Sequence, residues 1–265
     1  MEMKSESNHR LPTRYLLPLF VAISGVLFFQ CSVSGKIHGG NEENIANIPY
    51  IVALSSPKMS NLFFCGGTII SASWILTAAH CLLRVEANEV YIRAGTRFMH
   101  KGGQVRNVTR IIRHELFSHE IRVNRDFALL ELDAPLQLRK TVRPIDLYDF
   151  NDRYVPGEMC LVSGWGKTET SKGPKKRLHS VMVPLVKHDD CKAVYARFGT
   201  VLSGQMLCAG GEPGKDSCVG DSGGPLVCRD KLVGVVSWGR RCGSHYGIYG
   251  NVSTVRGWVI FHTGI

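Results

Sequence analysis

The sequence has no apolar run of the length that crosses a bilayer as a helix. The apolar stretch at residues 15–29 is interrupted by Pro18, and a transmembrane helix needs about 20 residues. Internal repeats, linkers and long charged blocks are also missing, except for the short basic run at 171–177. These absences argue against repeat arrays and against a chain of loosely joined modules.

The N-terminal segment has the pattern of a secretory signal peptide. Basic residues precede the apolar stretch, and the small residues Ser32, Val33 and Ser34 follow it, which is the order found in such signals. The alternative is a membrane anchor, which the short, proline-interrupted stretch disfavours. We therefore expect a signal peptide at residues 1–34 and a secreted protein that has no membrane contact after its removal.

The cysteine content favours an oxidising compartment. The chain has nine cysteines, a number typical of disulfide-bonded secreted proteins rather than of cytosolic ones. Removal of the signal peptide takes away Cys31 and leaves eight, which can form four bridges. Because eight cysteines allow 105 connectivities, the sequence alone does not pair them.

The chain carries an excess of positive charge. Residues 1–36 contain four basic and two acidic side chains, so the remainder keeps a net charge of +8 out of the +10 of the whole chain. A basic surface can attract nucleic acid or anionic polymers. The charges are scattered, however, and no basic motif with interleaved aromatic residues occurs, so we expect no nucleic-acid partner.

Helical patterns are scarce, and short apolar runs bounded by Gly, Pro, Asn and Ser recur along the chain. Such runs predict strands of an all-β barrel or sandwich. A C-terminal helix is predicted by apolar residues at three- and four-residue steps, with Ser253 or Thr254 as its N-cap and Gly264 as its stop. A short helix is also predicted at 188–197. The predicted strands are 50–54, 67–76, 90–94, 127–132, 181–186, 225–228, 232–238 and 248–252.

Three separated segments supply the parts of a serine nucleophile. They are "TAAHC" with His80, "NRDFALLEL" with Asp126 and "GDSGGP" with Ser222. A serine hydroxyl needs a base to remove its proton, and the base needs a carboxylate to fix its tautomer and stabilise its charge. One of these segments alone is weak support, because a lone histidine is usually a packing or surface residue. The three together predict a catalytic triad.

With these segments, the chain resembles the chymotrypsin-trypsin family of serine proteases over residues 37–265. The resemblance also includes "CGGTIISASWILTAAHC", "CLVSGWG", "MLCAG", "GDSGGPLVC" and "VSWG". It implies an all-β fold of two six-stranded antiparallel β-barrels with the active site between them, followed by a C-terminal helix. It also implies that the backbone amides of Gly220 and Ser222 form an oxyanion hole, and that the enzyme needs no cofactor.

The resemblance assigns partners to the eight remaining cysteines. Each bridge of this kind stabilises a fold by about 2–4 kcal/mol. The implied pairs are Cys65 with Cys81, Cys160 with Cys228, Cys191 with Cys208 and Cys218 with Cys242.

The resemblance gives the two aspartates of "GKDSCVGDSGG" different roles. Asp216 matches the carboxylate at the base of the substrate pocket in trypsin-like members, which implies cleavage after Arg or Lys; the alternative is a loop acid with a capping role. Asp221 matches the carboxylate that pairs with a new N-terminus. Cleavage after Lys36, at the end of a short propeptide (35–36), would free the amine of Ile37 for this pairing, so the uncut chain is expected to be a zymogen. The other expected pocket residues are Ser217, Ser237, Gly239 and Gly247.

Two further features complete these expectations. The loop after Gly95 contains no acid, so no calcium or other metal site is expected. Sequons occur at Asn107, in an expected surface loop, and at Asn251 near a strand end; Asn107 is the better glycosylation candidate. The expected partners are protein or peptide substrates and protein protease inhibitors, and the chain is expected to be a monomer. Two alternatives stay open: an inactive homologue that binds or regulates, and a protease that prefers aromatic residues.

Overall fold

The computed structural model describes residues 40–59, 62–118, 123–149, 151–166, 176–240 and 242–265, which all belong to one unit spanning Ser34–Ile265. The predicted signal peptide, Lys36 and Ile37 lie outside these residues. The strands in chain order are β1 (Asn41–Glu42), β2 (Ile51–Ser55), β3 (Phe63–Ile69), β4 (Trp74–Thr77), β5 (Tyr91–Ala94), β6 (Gln104–Arg113), β7 (Ala128–Leu132), β8 (Asp146–Leu147), β9 (Met159–Gly164), β10 (His179–Val186), β11 (Met206–Gly210), β12 (Pro225–Cys228), β13 (Lys231–Trp238) and β14 (Tyr246–Asn251).

The first half of the described chain forms a closed β-barrel. Its strands are antiparallel neighbours in the order β2-β3-β4-β7-β6-β5, and the pairing of β5 with β2 closes the barrel. All five residues of β2 are buried, and the fully buried side chains of Ile51, Leu54, Ile75 and Leu76 fill the interior. Because β2 is buried on both faces, its sequence is a nearly continuous apolar run, and this run is the pattern that predicted a strand at 50–54.

The second half forms another six-stranded barrel, in the order β10-β11-β14-β13-β12-β9. Antiparallel pairing of β9 with β10 closes it, for example at Val183 opposite Cys160. The two-residue strand β1 pairs with β10, and β8 runs parallel to β13. The expected fold of two six-stranded antiparallel barrels is therefore confirmed.

Helices are short and few in the described part of the chain. The α-helices are α1 (His188–Ala196) and α2 (Arg256–Thr263), and single 3-10 turns lie at Ala79–Leu82, Ala87–Glu89 and Val252–Val255. Gly264 ends α2 in the left-handed conformation, as predicted. The predicted N-cap of α2 is wrong, because Ser253 and Thr254 lie within the preceding 3-10 turn and Val255 occupies the cap position. No helix of the described residues is long and apolar enough to span a membrane.

The strand predictions need correction: β6, β9, β11 and the two-residue strands β1 and β8 were not predicted, and one predicted strand is divided. The predicted strand 67–76 is two antiparallel strands, β3 and β4, joined by a turn at residues 70–73. Asn107, expected in a loop, lies within β6, which the prediction missed. Of the side chains in the first half of β6, only Gln104 and Val108 are buried, so the strand lacks the apolar alternation by which strands are recognised.

Four disulfides stabilise the fold. They join Cys65 to Cys81, Cys160 to Cys228, Cys191 to Cys208 and Cys218 to Cys242. These are the four pairs that the family resemblance implied. Cys218–Cys242 joins the loop before Ser222 to the segment after β13, so this bridge fixes two walls of the cleft described below.

Candidate active site

A histidine and a buried aspartate meet where β4 and β7 pair. Thr77, the last residue of β4, lies opposite Ala128, the first residue of β7. His80 follows the one strand closely and Asp126 precedes the other, so the register brings them together. Nδ1 of His80 lies 2.6 Å from Oδ2 of Asp126, and the backbone amide of His80 donates to Oδ1 at 2.8 Å. Both carboxylate oxygens therefore hold the histidine in a single orientation.

A serine of the second barrel completes the surroundings of Asp126. The hydroxyl of Ser237 donates to Oδ2 of Asp126 at 2.5 Å. Asp126 itself is 2% exposed, whereas the side chain of His80 keeps 23% of its surface exposed. A buried carboxylate with three hydrogen-bond donors orients the imidazole, and the exposed part of the ring can accept a proton from a neighbouring group.

Ser222 lies in a loop that is pressed against the first barrel. Its carbonyl accepts a hydrogen bond of 2.8 Å from the amide of Gly66 in β3. The next residue, Gly223, has φ +77°, and a Cβ atom there would lie 2.2 Å from Oγ1 of Thr77 and 2.6 Å from the carbonyl oxygen of Gly66. Only glycine fits this backbone approach. The contact places the Ser222 loop against the strand end that leads into His80.

A pocket of about 240 Å³ opens beside Ser222. All the expected substrate-binding residues line it. Asp216 is 3% exposed. Burial raises its pKa to about 6, although hydrogen bonds that its carboxylate accepts from Gly243 and Ser217 act to lower the pKa. The Gly243 amide donates to Oδ2 at 3.0 Å. A buried carboxylate in a pocket with no cation from the described residues is poised to bind a cationic group.

The second aspartate of the same segment is enclosed on all sides. Asp221 is 0% exposed, and its carboxylate accepts hydrogen bonds from the amides of Gly166 (2.7 Å) and Cys218 (2.9 Å). Burial, with a smaller contribution from the charge of Asp216, raises its pKa to about 7. Neutral amides compensate a buried charge only in part, so Asp221 is suited to a cationic partner from outside the described residues.

One group of possible metal ligands lies at the site. The ligand atoms of Cys65, His80 and Cys81 are within 4.8 Å of one another. The two sulfur atoms are joined in a disulfide, and Nδ1 of His80 contacts Asp126. Because metal ions bind thiolates rather than disulfide sulfurs, this group does not form a metal site.

Comparison with known proteins matches residues 37–259 to the family model described as Trypsin. The chain belongs to the trypsin family. It is 39% identical over 229 residues to trypsin 5G1 of Aedes aegypti, with 85% of this chain and 84% of that protein covered. Trypsin zeta of Drosophila erecta is 39% identical over 239 residues, with the same coverage. Hypodermin-A of Hypoderma lineatum is 38% identical over 231 residues, covering 85% of this chain and 87% of that protein.

Membership of this family makes the chain a serine protease, a hydrolase that acts on protein substrates. The structure brings most of the predicted site residues to one cleft. His80, Asp126 and Ser237 form one hydrogen-bonded group, and Ser222 shares a pocket with Asp216 and Ser237. Asp221 lies in the interior immediately before Ser222, and Gly220 adopts φ +101° at the entrance of the same loop.

Sequence reasoning missed several contacts that shape the pocket. The amide of Gly243 is a direct partner of Asp216, and the hydroxyl of Tyr249 lies 3.4 Å from Oγ of Ser217. Phe198, in the loop after α1, stacks with Arg240 at the rim. The sequence does not show which backbone amide will contact Asp216, and Phe198 belongs to no motif. These contacts could therefore not be predicted from the sequence.

Proposed function

We propose that this chain is a secreted serine endopeptidase, made as a zymogen, that hydrolyses peptide bonds after Arg or Lys. The observation that carries the specificity is the buried carboxylate of Asp216 in the pocket beside Ser222. A neutral substrate side chain would leave this carboxylate without a partner, and leaving a buried charge unpaired is costly. A guanidinium or ammonium group compensates the charge and fills the pocket.

In the proposed mechanism, Oγ of Ser222 attacks the carbonyl carbon of the bond to be cleaved, and Nε2 of His80 takes the hydroxyl proton. Asp126 fixes the tautomer of His80 and stabilises the imidazolium that forms. His80 then donates the proton to the leaving amine as the peptide bond breaks, which leaves an acyl-enzyme. Water, deprotonated by His80, hydrolyses the acyl ester and restores Ser222.

The backbone amides of Gly220 and Ser222 are the proposed donors to the developing oxyanion. Loss of one such donor typically lowers the rate by about 100- to 1000-fold. The geometry of this loop depends on Asp221. Its carboxylate accepts hydrogen bonds from the amide of Cys218, within the same loop, and from the amide of Gly166, in a different segment of the chain. A charge partner for Asp221 would therefore order the donors together with the pocket wall.

The proposed activation acts through the carboxylate of Asp221. We infer that cleavage after Lys36 frees the amine of Ile37, which pairs with Asp221 and orders the loop. The predicted signal peptide at residues 1–34 and the activation sequence both precede the described residues, so their roles are part of this proposal. The four disulfides are consistent with an oxidising, extracellular location.

The proposal is tested with the purified full chain. It is cut by a lysine-specific protease, N-terminal sequencing establishes that Ile37 is the new terminus, and fluorogenic Arg, Lys and Phe amides are compared before and after cutting. We expect turnover of the Arg and Lys substrates, strongly increased by cutting, and labelling of Ser222 by an organophosphonate. Ser222→Ala and Lys36→Gln are the controls for chemistry and activation.

Three outcomes would contradict the proposal in different ways. If the cut chain neither turns over any substrate nor reacts with the organophosphonate, it is an inactive homologue. If Phe is cleaved faster than Arg, the assignment of Asp216 is wrong while the triad stands. If cutting after Lys36 leaves the activity unchanged, the zymogen assignment is wrong.

A further inference from the structure

A cation stacked on an exposed aromatic ring lies at the rim of the cleft, outside the pocket that contains Asp216. Cζ of Arg240 is 4.2 Å from the centroid of the Phe198 ring. Arg240 directly follows Gly239, a residue of the pocket wall, and Phe198 is 39% exposed. The stack therefore borders the cleft without being part of the pocket that receives the residue before the cleaved bond.

Tyr195 anchors the segment that carries Phe198, and its ring packs edge-on against that of Trp238, two residues before Arg240. Its side chain is 1% exposed, and its hydroxyl donates to the carbonyl of Tyr246 at 2.5 Å. Its own carbonyl accepts the amide of Phe198 at 3.0 Å. The His245 ring, 5.1 Å from that of Phe198, supports the aromatic side further. Because the guanidinium already lies against the Phe198 ring, it loses little additional freedom when it binds a ligand.

The charge of Arg240 is not compensated within the described residues. None of the ion pairs they form includes Arg240. A guanidinium that stacks through its face keeps N–H donors at its edge. Such an edge matches a carboxylate in a bidentate arrangement, so the chemistry that complements this rim is an acidic side chain.

The direction of β13 relates the stack to a bound substrate. The amide of Gly223, next to Ser222, donates to the carbonyl of Val236 at 2.7 Å, so this part of β13 is level with the nucleophile. The pairing of β12 with β13 ends at Val235 and Val236 still bonds to the Ser222 loop, so the edge of β13 beyond Val236 is available for an added strand. A substrate that pairs antiparallel to β13 has its upstream residues beside Gly239 and Arg240. Arg240 lies four residues beyond Val236, about 13 Å along an extended chain.

We propose that Arg240, supported by Phe198, makes the enzyme prefer substrates with Asp or Glu at the third or fourth position before the cleaved bond. This inference rests on the proposed function, because it assumes a substrate whose Arg or Lys side chain occupies the Asp216 pocket. The substrate class is therefore an acidic segment followed shortly by a basic residue.

The test uses four-residue fluorogenic peptides that end in Arg, in which each upstream position in turn is Glu, Ala or Lys. For the cut wild-type enzyme we expect kcat/KM to be about tenfold higher with Glu than with Lys at the third or fourth position, and this ratio to decrease as salt is added. Arg240→Gln should bring the ratio close to one, and Arg240→Glu should invert it. For each enzyme variant, kcat/KM with the Glu and Lys peptides is divided by kcat/KM of the same variant with the Ala peptide before the ratio is formed.

Matched variants separate a local charge effect from other causes. Phe198→Ala should lower the Glu/Lys ratio because the guanidinium loses its support, whereas Phe198→Tyr should keep the ratio because a ring remains. Lys140→Gln removes an equal charge from an exposed position between β7 and β8 and should leave the ratio unchanged. A ratio near one for the wild type, or a full preference in Arg240→Gln, would overturn the inference. If the peptide with Ala at all three positions before Arg is not cleaved, the result would instead contradict the proposed function.

Discussion

Gly247 faces Asp216 so closely that a Cβ atom on Gly247 would lie 2.8 Å from Oδ1 of that carboxylate. The same atom would lie 3.1 Å from the ring of Tyr249. The space above the carboxylate therefore exists because residue 247 has no side chain. A long cationic side chain can reach Asp216 only through this space, so the depth of the pocket depends on Gly247 as much as on the charge.

Gly247→Ala should lower kcat/KM for Arg and Lys substrates by about tenfold or more, because overpacking of a closely fitted site typically costs about 1–3 kcal/mol. The reaction of Ser222 with a small organophosphate that carries no group for the pocket should change little. Gly204→Ala is the matched control, since a Cβ there contacts nothing within 4 Å. If Gly247→Ala slowed both reactions equally, the pocket would not be the cause.

The pKa of Asp216 predicts a pH dependence that is specific for cationic substrates. Burial raises this pKa to about 6 in the unoccupied pocket, so the carboxyl group becomes neutral as the pH falls below about 6. We expect the ratio of kcat/KM for an Arg peptide to that for its citrulline counterpart to fall as the pH is lowered from about 7.5 to 5. The triad acts on both peptides, so its titration cancels in the ratio. A ratio independent of pH would show that Asp216 stays ionised or does not contact the substrate.

The sequence predicted most of the strands that combine an apolar pattern with a turn signal, but not β9 and β11, which are largely buried as well. Strands such as β12 and β13 are nearly fully buried, and both were predicted within one or two residues of their observed bounds. The strand β6 was not predicted, because a barrel strand needs only its inward side chains to be apolar, and here Gln104 occupies one of those positions. Closure of each barrel depends on pairings such as β5 with β2, which are distant in sequence and have no local signature.

The site was predictable to the extent that side chains carry it. His80, Asp126 and Ser222 belong to distinctive motifs, but the register of β4 with β7 that joins the first two is a property of the folded barrel. The contacts that tune the aspartates are backbone amides, such as those of Gly166 and Gly243, and the sequence does not show which amide reaches which carboxylate. The Arg240–Phe198 stack joins two loops that no motif connects.

The two sequons are expected to differ in glycosylation. The side chain of Asn107 is exposed on β6, and its amide donates a hydrogen bond to the surface residue Asp133. Asn251 is half-buried and its side chain is fully engaged: its Oδ1 accepts from the hydroxyls of Tyr154 and Ser253, and its Nδ2 donates to the carbonyl of Gly204. In protein secreted by eukaryotic cells, we expect a glycan at Asn107 and none at Asn251. Peptide mass spectrometry after enzymatic deglycosylation in heavy-oxygen water measures both, and Asn107→Gln should abolish the mass shift.

If the proposed activation is correct, we expect Asp221 to give the uncut and cut forms different pH dependences of stability. In the uncut chain its pKa is raised to about 7, compared with about 4 in an unfolded chain. The folded state therefore binds more protons between these values, and the free energy of unfolding decreases as the pH rises from about 4 to about 7. In the cut chain, the amine of Ile37 would stabilise the ionised form and remove this decrease, which amounts to a few kcal/mol.

Urea unfolding of the Ser222→Ala chain, with its disulfides intact and before and after cutting at Lys36, measures the difference without self-digestion. Asp216 is buried in its pocket in both forms and should contribute about equally to both curves, so its contribution cancels when they are subtracted. Cutting should stabilise the chain more at pH 7 than at pH 4.5, and Asp221→Asn should remove this dependence, because an amide has no charge to pair with the amine. Equal stabilisation by cutting at both pH values would mean that the new N-terminus does not reach Asp221, whatever the activity of the cut enzyme.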